Sequence, residues 1–159
     1  PAYQCYWFGG GSMIVRKSEV KDLPALIQLG REFMAETNWN WTFSEENALK
    51  SYYTHIVHPE CDIIQITDDN GELLGAGMVS IENDFQVENV GDIVEFYVSP
   101  RARGTGAGRE LLKGMCDWFD ENKCVKVFVK ATANIGNDAA FINLFKKYGF
   151  QVSSVVLVR

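Results

Sequence analysis

The stretch SPRARGTGAGRELL, residues 99–112, sets glycines at 104, 106 and 108 between an apolar, strand-like run and an apolar stripe of helical period. The chain must turn there from strand into helix through backbone conformations that residues with a β-carbon avoid. Several backbone N–H groups converge where the helix begins, and the positive end of its macrodipole lies at the same point, so the turn favours an anion such as phosphate. A tight turn with no ligand uses the same glycines. Two familiar phosphate loops are excluded by counting. A Walker-type loop requires glycine and lysine where Arg109 and Glu110 stand. A G-x-G-x-x-G fingerprint fails at its third glycine, replaced by Arg109 or Leu111.

The rest of the chain predicts a mixed fold. Residues 13–15 with Arg16 form a short opening strand; Asp22 caps a helix that tolerates Pro24 in its first turn and buries Leu23, Leu26, Ile27, Phe33 and Met34. The aromatic, polar segment TNWNWTF leads to Ser44, a cap for a second helix over 45–56. Strand periodicity follows at 61–67 and 72–81 around the turn DDNG, which reads as a hairpin, and again at 89–98. Beyond the glycine loop, Leu111, Leu112, Met115, Cys116 and Phe119 mark a helix ending near Asn122. A buried strand over 125–131, a helix over 138–148 stopped by Gly149, and a terminal strand over 152–158 complete the order. This is an α/β (mixed α+β) class: a central mixed, mostly antiparallel sheet flanked by about four helices, unlike the alternating series of a dinucleotide fold.

With 159 residues, 47% hydrophobic and 13% aromatic, the chain supports one domain, placed at residues 13–159. The first twelve residues, PAYQCYWFGGGS, carry no charged side chain and end in a linker-like GGGS. They read as a fused peptide, whose aromatics could alternatively dock on the domain. Without an apolar run of about 18 residues or a leader-like start, the chain reads as cytoplasmic, with no membrane partner. Cys5, Cys61, Cys116 and Cys124 have neither zinc nor disulfide spacing, and His55 and His58 fit a helix end before Pro59 better than a metal site, so no metal is expected. A net charge of −6 disfavours nucleic acid and suits a cationic, amine-bearing partner; a homodimer is left open.

The run EFYVSPRARGTGAGRELL resembles the pyrophosphate-binding segment of the GNAT-type acyl-CoA N-acetyltransferases, which reads R/Q-x-x-G-x-G/A. Arg103, Gly106 and Gly108 match it, and FINLFKKYGF is similar to the family's closing helix with its Gly-Phe pair. The resemblance implies acetyl transfer from acetyl-CoA to a primary amine of a small molecule or protein. Under it, the N–H groups of Arg103, Gly104, Thr105, Gly106, Ala107, Gly108 and Arg109 wrap the pyrophosphate, with a Thr105 hydroxyl contact and added charge from Arg109. Phe96, Tyr97 and Val98 pair through their backbone with the pantetheine arm, and one of their N–H groups polarises the thioester carbonyl. Asn134 or Asn137 contacts that arm. The family's thiol-protonating tyrosine falls at Phe145, leaving Tyr148 or water to supply the proton.

Attack on a thioester needs a neutral amine, whereas an alkyl amine with a pKa of about 10.4 is mostly protonated at neutral pH. Asp92 and Glu95, on the strand before the loop, are the candidate bases, Glu95 slightly favoured. Regular strand alternation places them on opposite faces, so only one is expected to face the acceptor. Trp39, Trp41 and Phe43, with Tyr52 and Tyr53, are candidates to line the acceptor site, or are ordinary core and rim aromatics. The alternative reading is a GNAT-like module that binds acyl-CoA or a partner with weak or no turnover.

Overall fold

A six-stranded sheet runs in the order β1 to β6, sequential strands lying side by side: β1 (Tyr3–Tyr6), β2 (Ser12–Lys17), β3 (Cys61–Asp68), β4 (Leu73–Glu82), β5 (Val90–Val98) and β6 (Lys126–Val129). All neighbours are antiparallel except β5 and β6, which are parallel. Four helices flank the sheet: α1 (Leu23–Glu36), α2 (Glu45–Val57), α3 (Ala107–Glu121) and α4 (Asp138–Lys147). The computed structural model describes residues 3–6, 11–37, 41–83, 87–130 and 138–153. The mixed, mostly antiparallel sheet with four helices is the expected class.

Each face of the sheet has its own core. Val15, Ile64, Ile66, Val79, Ile93 and Val98 pack with Leu111, Leu112, Met115 and Phe119 of α3, all buried. On the other face Ile63, Met78 and Tyr97 pack with Leu26 and Leu29 of α1, joined by Phe33 and Tyr52. The parallel β5–β6 pair needs a crossover, and α3 supplies it, its apolar stripe lying on the sheet as the periodicity predicts. Gly91 is small because Phe119 needs the room: a β-carbon at 91 would run into its ring.

Ser44 caps α2 as expected, its hydroxyl accepting the Asn47 N–H at 3.3 Å. Asp22 precedes α1 but does not cap it with its side chain. Its carboxylate accepts the Glu19 N–H at 2.8 Å and pairs with Arg16 at 2.7 Å, which fixes the turn ahead of the helix instead. The strand expected over 125–131 is shorter and not buried on both faces. Val127 and Val129 reach the α3 core while Phe128 is 43% exposed on the other side. Tyr3–Tyr6, from the segment read as a fused peptide, pairs with β2, and Ser12, read as linker, opens β2. Of the expected closing strand, Val152 and Ser153 are not in regular structure and the rest lies outside the described residues.

Candidate active site

The glycine loop leaves β5 through a single 3-10 turn over Pro100–Ala102 and enters α3 at Ala107. Gly104 and Gly106 have φ of +78° and +98°, the left-handed region that a β-carbon disfavours. The N–H groups of Arg103, Thr105 and Ala107 are satisfied inside the turn, by Pro100 O at 3.2 Å, Ala102 O at 3.4 Å and Thr105 Oγ1 at 3.4 Å. Those of Gly104, Gly106 and Gly108 donate to no group among the described residues. A β-carbon at Gly108 would meet Leu144 and Val98 at ordinary contact distances, 3.5 and 3.6 Å. The Thr105 hydroxyl donates to Ala102 O at 2.6 Å, so it braces the loop. Arg109 lies exposed beside Glu110, at 2.8 Å.

Arg103 anchors the loop rather than reaching outward. Its Nε donates to Val98 O at 3.0 Å, its guanidinium pairs with Glu36, and it lies over the Tyr97 ring at 5.6 Å. Tyr97 is buried edge-on against Phe33, with its hydroxyl near Glu36 and Glu32. Burial first, then those carboxylates, push its pKa up to about 12.

Beside the loop lies a cavity of about 660 Å³. Pairing between β5 and β6 ends at Ile93 and Val129, and beyond it β5 has no strand on that edge among the described residues. The cavity occupies this gap. It is lined by β5 residues 93–98, by Gly104, Gly106, Gly108 and Arg109, by Val129 and Lys130, by Ala140, Phe141 and Leu144 of α4, and on the other face by Leu26, Leu29, Phe33, Trp41, Tyr52 and Met78. Its walls are drawn from helices on both faces of the sheet.

The two candidate acids do not alternate as expected. Ser80 pairs with Asp92 and Val79 with Ile93, but Met78 pairs with Glu95, so Val94 is an extra residue, a β-bulge. Residues directly opposite each other share a face, and Ser80 and Met78 are two apart. Asp92 and Glu95 therefore share the α1/α2 face, and the expectation of opposite faces fails at the bulge. What separates them is position along the strand. Glu95 opens onto the cavity, whereas Asp92 is half-buried and not part of its lining. The Glu95 side chain is exposed at the cavity, and the surrounding protein atoms raise its pKa by desolvation. Desolvation and Glu82 raise that of Asp92, opposed by Lys130.

The structure also places the remaining candidates. Phe145 is buried in an aromatic cluster with Phe96, Phe141 and Phe150, behind the cavity wall rather than on it. The Tyr148 hydroxyl donates to Arg109 O at 3.1 Å, and Tyr148 does not line the cavity. Trp41 lines it at the rim, 68% exposed, while Phe43 packs under Arg31 at 5.2 Å. Trp39, Asn134 and Asn137 lie outside the described residues. Phe33 was legible only as a core position, and Met78, Phe141, Leu144 and Gly30 were not singled out by the sequence. A β-carbon at Gly30 would sit 2.6 Å from the Tyr52 hydroxyl, so glycine there lets Tyr52 reach the cavity.

A family model described as the acetyltransferase (GNAT) family matches residues 26–150, most of the chain and all of this site. The chain belongs to the GNAT acetyltransferase family. Solved GNAT structures share its fold. The aminoglycoside N-acetyltransferase AAC(6')-Iy, in complex with CoA, superposes with a TM-score of 0.78 at 16% identity, covering 94% of this chain and 95% of that one. A Trypanosoma brucei acetyltransferase gives 0.71 at 19% identity, with 92% and 98% covered. The glucosamine-6-phosphate N-acetyltransferase of Arabidopsis thaliana gives 0.70 at 19% identity, with 92% and 97% covered. No curated protein matches this GNAT chain by sequence. Among its described residues no group of three or more His, Cys, Asp or Glu side chains could hold a metal, and no helix is long and apolar enough to cross a membrane.

Proposed function

We propose that this GNAT protein transfers the acetyl group of acetyl-CoA to a primary amine by direct attack, with Glu95 as general base. The observation that carries this reading is one continuous cavity that joins the glycine loop, the open edge of β5 and the Glu95 carboxylate. The Gly104, Gly106 and Gly108 N–H groups and the start of α3 take the pyrophosphate. The pantetheine arm lies along residues 96–98, where β5 lacks a partner and its backbone groups stand ready to pair. Acetyl-CoA, when bound, supplies the activated acyl carbon.

Glu95 accepts the ammonium proton, a task suited to a carboxylate whose pKa desolvation raises. The amine nitrogen then attacks the thioester carbon, and a backbone N–H on the open edge of β5 stabilises the oxyanion. The C–S bond breaks as the amide forms. Water relays the second proton, shed by the acylated nitrogen, to the departing thiolate, whose conjugate thiol has a pKa of about 8.5 and makes a tolerable leaving group. Tyr148 is engaged with Arg109 O and is left out of this route.

A second reading, a donor-binding module with weak turnover, draws on the same two positions: Phe145 has no hydroxyl and Tyr148 faces away. Calorimetry with CoA and thiol release from acetyl-CoA over an amine panel separate the two. Amine-dependent thiol release supports the enzyme, CoA binding without turnover the module, and no CoA binding at millimolar ligand overturns both.

A further inference from the structure

We propose that the acceptor is a monoamine, a single primary amine on an aliphatic or aryl body, rather than a polycationic or phosphorylated sugar. This rests on reading the cavity as an acyl-transfer site and names the substrate class of that site.

The charge inventory carries the argument. Among the described residues that line the cavity, Glu95 is the only carboxylate. Of the other acids nearby, Glu36 pairs with Arg103, Glu45 pairs with Arg31 and Glu32 accepts the Ser99 hydroxyl at 3.0 Å, and neither these nor Asp92 line the cavity. The charged side chains outside the described set are Asp84, Asp138 and Arg159 alone. A ligand with several ammonium groups would satisfy one at Glu95 and press the others against apolar wall, where an unpaired charge is heavily penalised.

The wall itself fits the alternative. Leu26, Leu29, Phe33 and Met78 form an apolar floor, with Tyr52 and Trp41 at its side and rim. An alkyl or aryl body is desolvated there while the aromatic faces and Glu95 hold the ammonium end. A sugar phosphate would need a cation on this wall. The lining cations are already matched by acids: Arg103 pairs with Glu36, Arg109 with Glu110, and Lys130 lies near Asp92; Arg31 does not line the cavity and is held by Glu45 and Phe43.

The test is thiol release by the full chain with acetyl-CoA and, in turn, phenethylamine, hexylamine, sisomicin and glucosamine 6-phosphate. The expected result is kcat/KM at least about tenfold higher for the two monoamines. Trp41→Ala should raise KM for phenethylamine about tenfold with kcat little changed, and Trp41→Phe should restore it. Sisomicin or glucosamine 6-phosphate turned over as well as the monoamines would overturn the inference and leave acetyl transfer standing. If no amine releases thiol, calorimetric titration of each amine into the CoA-loaded protein decides. Binding of phenethylamine in preference to sisomicin keeps the acceptor class and removes only the catalytic reading, whereas equal, reversed or absent binding removes the acceptor class too.

Discussion

The Glu95 carboxylate and the Tyr52 hydroxyl meet across one cavity, close enough that the charge of Glu95 adds to burial in raising the Tyr52 pKa above the usual phenol range. Tyr52 therefore stays protonated at any working pH, and the proposed mechanism gives the role of base to the carboxylate. Glu95→Gln should lower kcat/KM about 100-fold or more, while Asp92→Asn should change it less than about threefold. In the parent protein the rate should fall as pH drops through the raised Glu95 pKa, and this acidic limb should vanish in Glu95→Gln. A pH profile of thiol release checks both.

The same carboxylate should cost stability. A folded-state pKa raised above the unfolded value means the native state holds its proton more tightly, so the effect favours folding at low pH and is lost as pH rises through the folded pKa. Glu95→Gln should accordingly melt higher than the parent at pH 8 and at the same temperature near pH 4. Paired thermal scans at the two pH values give the sign directly.

Two glycine substitutions should move stability in opposite directions. Gly91→Ala drives a methyl into the buried Phe119 ring and should destabilise by about 1–3 kcal/mol. Gly108→Ala meets Leu144 and Val98 at ordinary contact distances inside a helix, and should stabilise by about 0.5–1 kcal/mol. Urea unfolding of both variants provides the comparison.

Restoring the family's tyrosine should not restore an acid. Phe145 is 3% exposed among aromatic rings, so Phe145→Tyr buries a hydroxyl without a partner and should destabilise by about 1–3 kcal/mol with no gain in kcat. Tyr148→Phe, which removes only the bond to Arg109 O, should alter kcat less than about threefold. Steady-state kinetics with a thermal scan distinguish these outcomes from a working general acid.

Most of the architecture was legible because its causes are local. The stripe of Leu111, Leu112, Met115 and Phe119 required a helix against a sheet, and the glycines at 104 and 106 carry the left-handed backbone their spacing implied. The bulge at Val94 was not legible: nothing in GDIVEFYV marks an extra residue, and only the pairing with Met78 and Val79 reveals it. That one residue brought Asp92 and Glu95 to the same face. Arg103 was read from a motif as lending its backbone N–H to an anion cradle; that N–H donates to Pro100 O at 3.2 Å, and the side chain, on which the motif is silent, is held by Val98 O and Glu36, partners set by tertiary packing. Phe145 likewise reads as a site position in the motif and as core in the fold.

The ending of β5–β6 pairing at Ile93 and Val129 has a consequence for amide hydrogen exchange. Along residues 94–98 one edge of the strand is bonded to β4 and the other faces the gap, so exchange in the free protein should alternate, protected amides interleaved with open ones, within a single strand. A ligand that lies in the gap as a surrogate strand would slow only the open set, which makes this alternation a residue-level gauge of donor occupancy that requires no turnover.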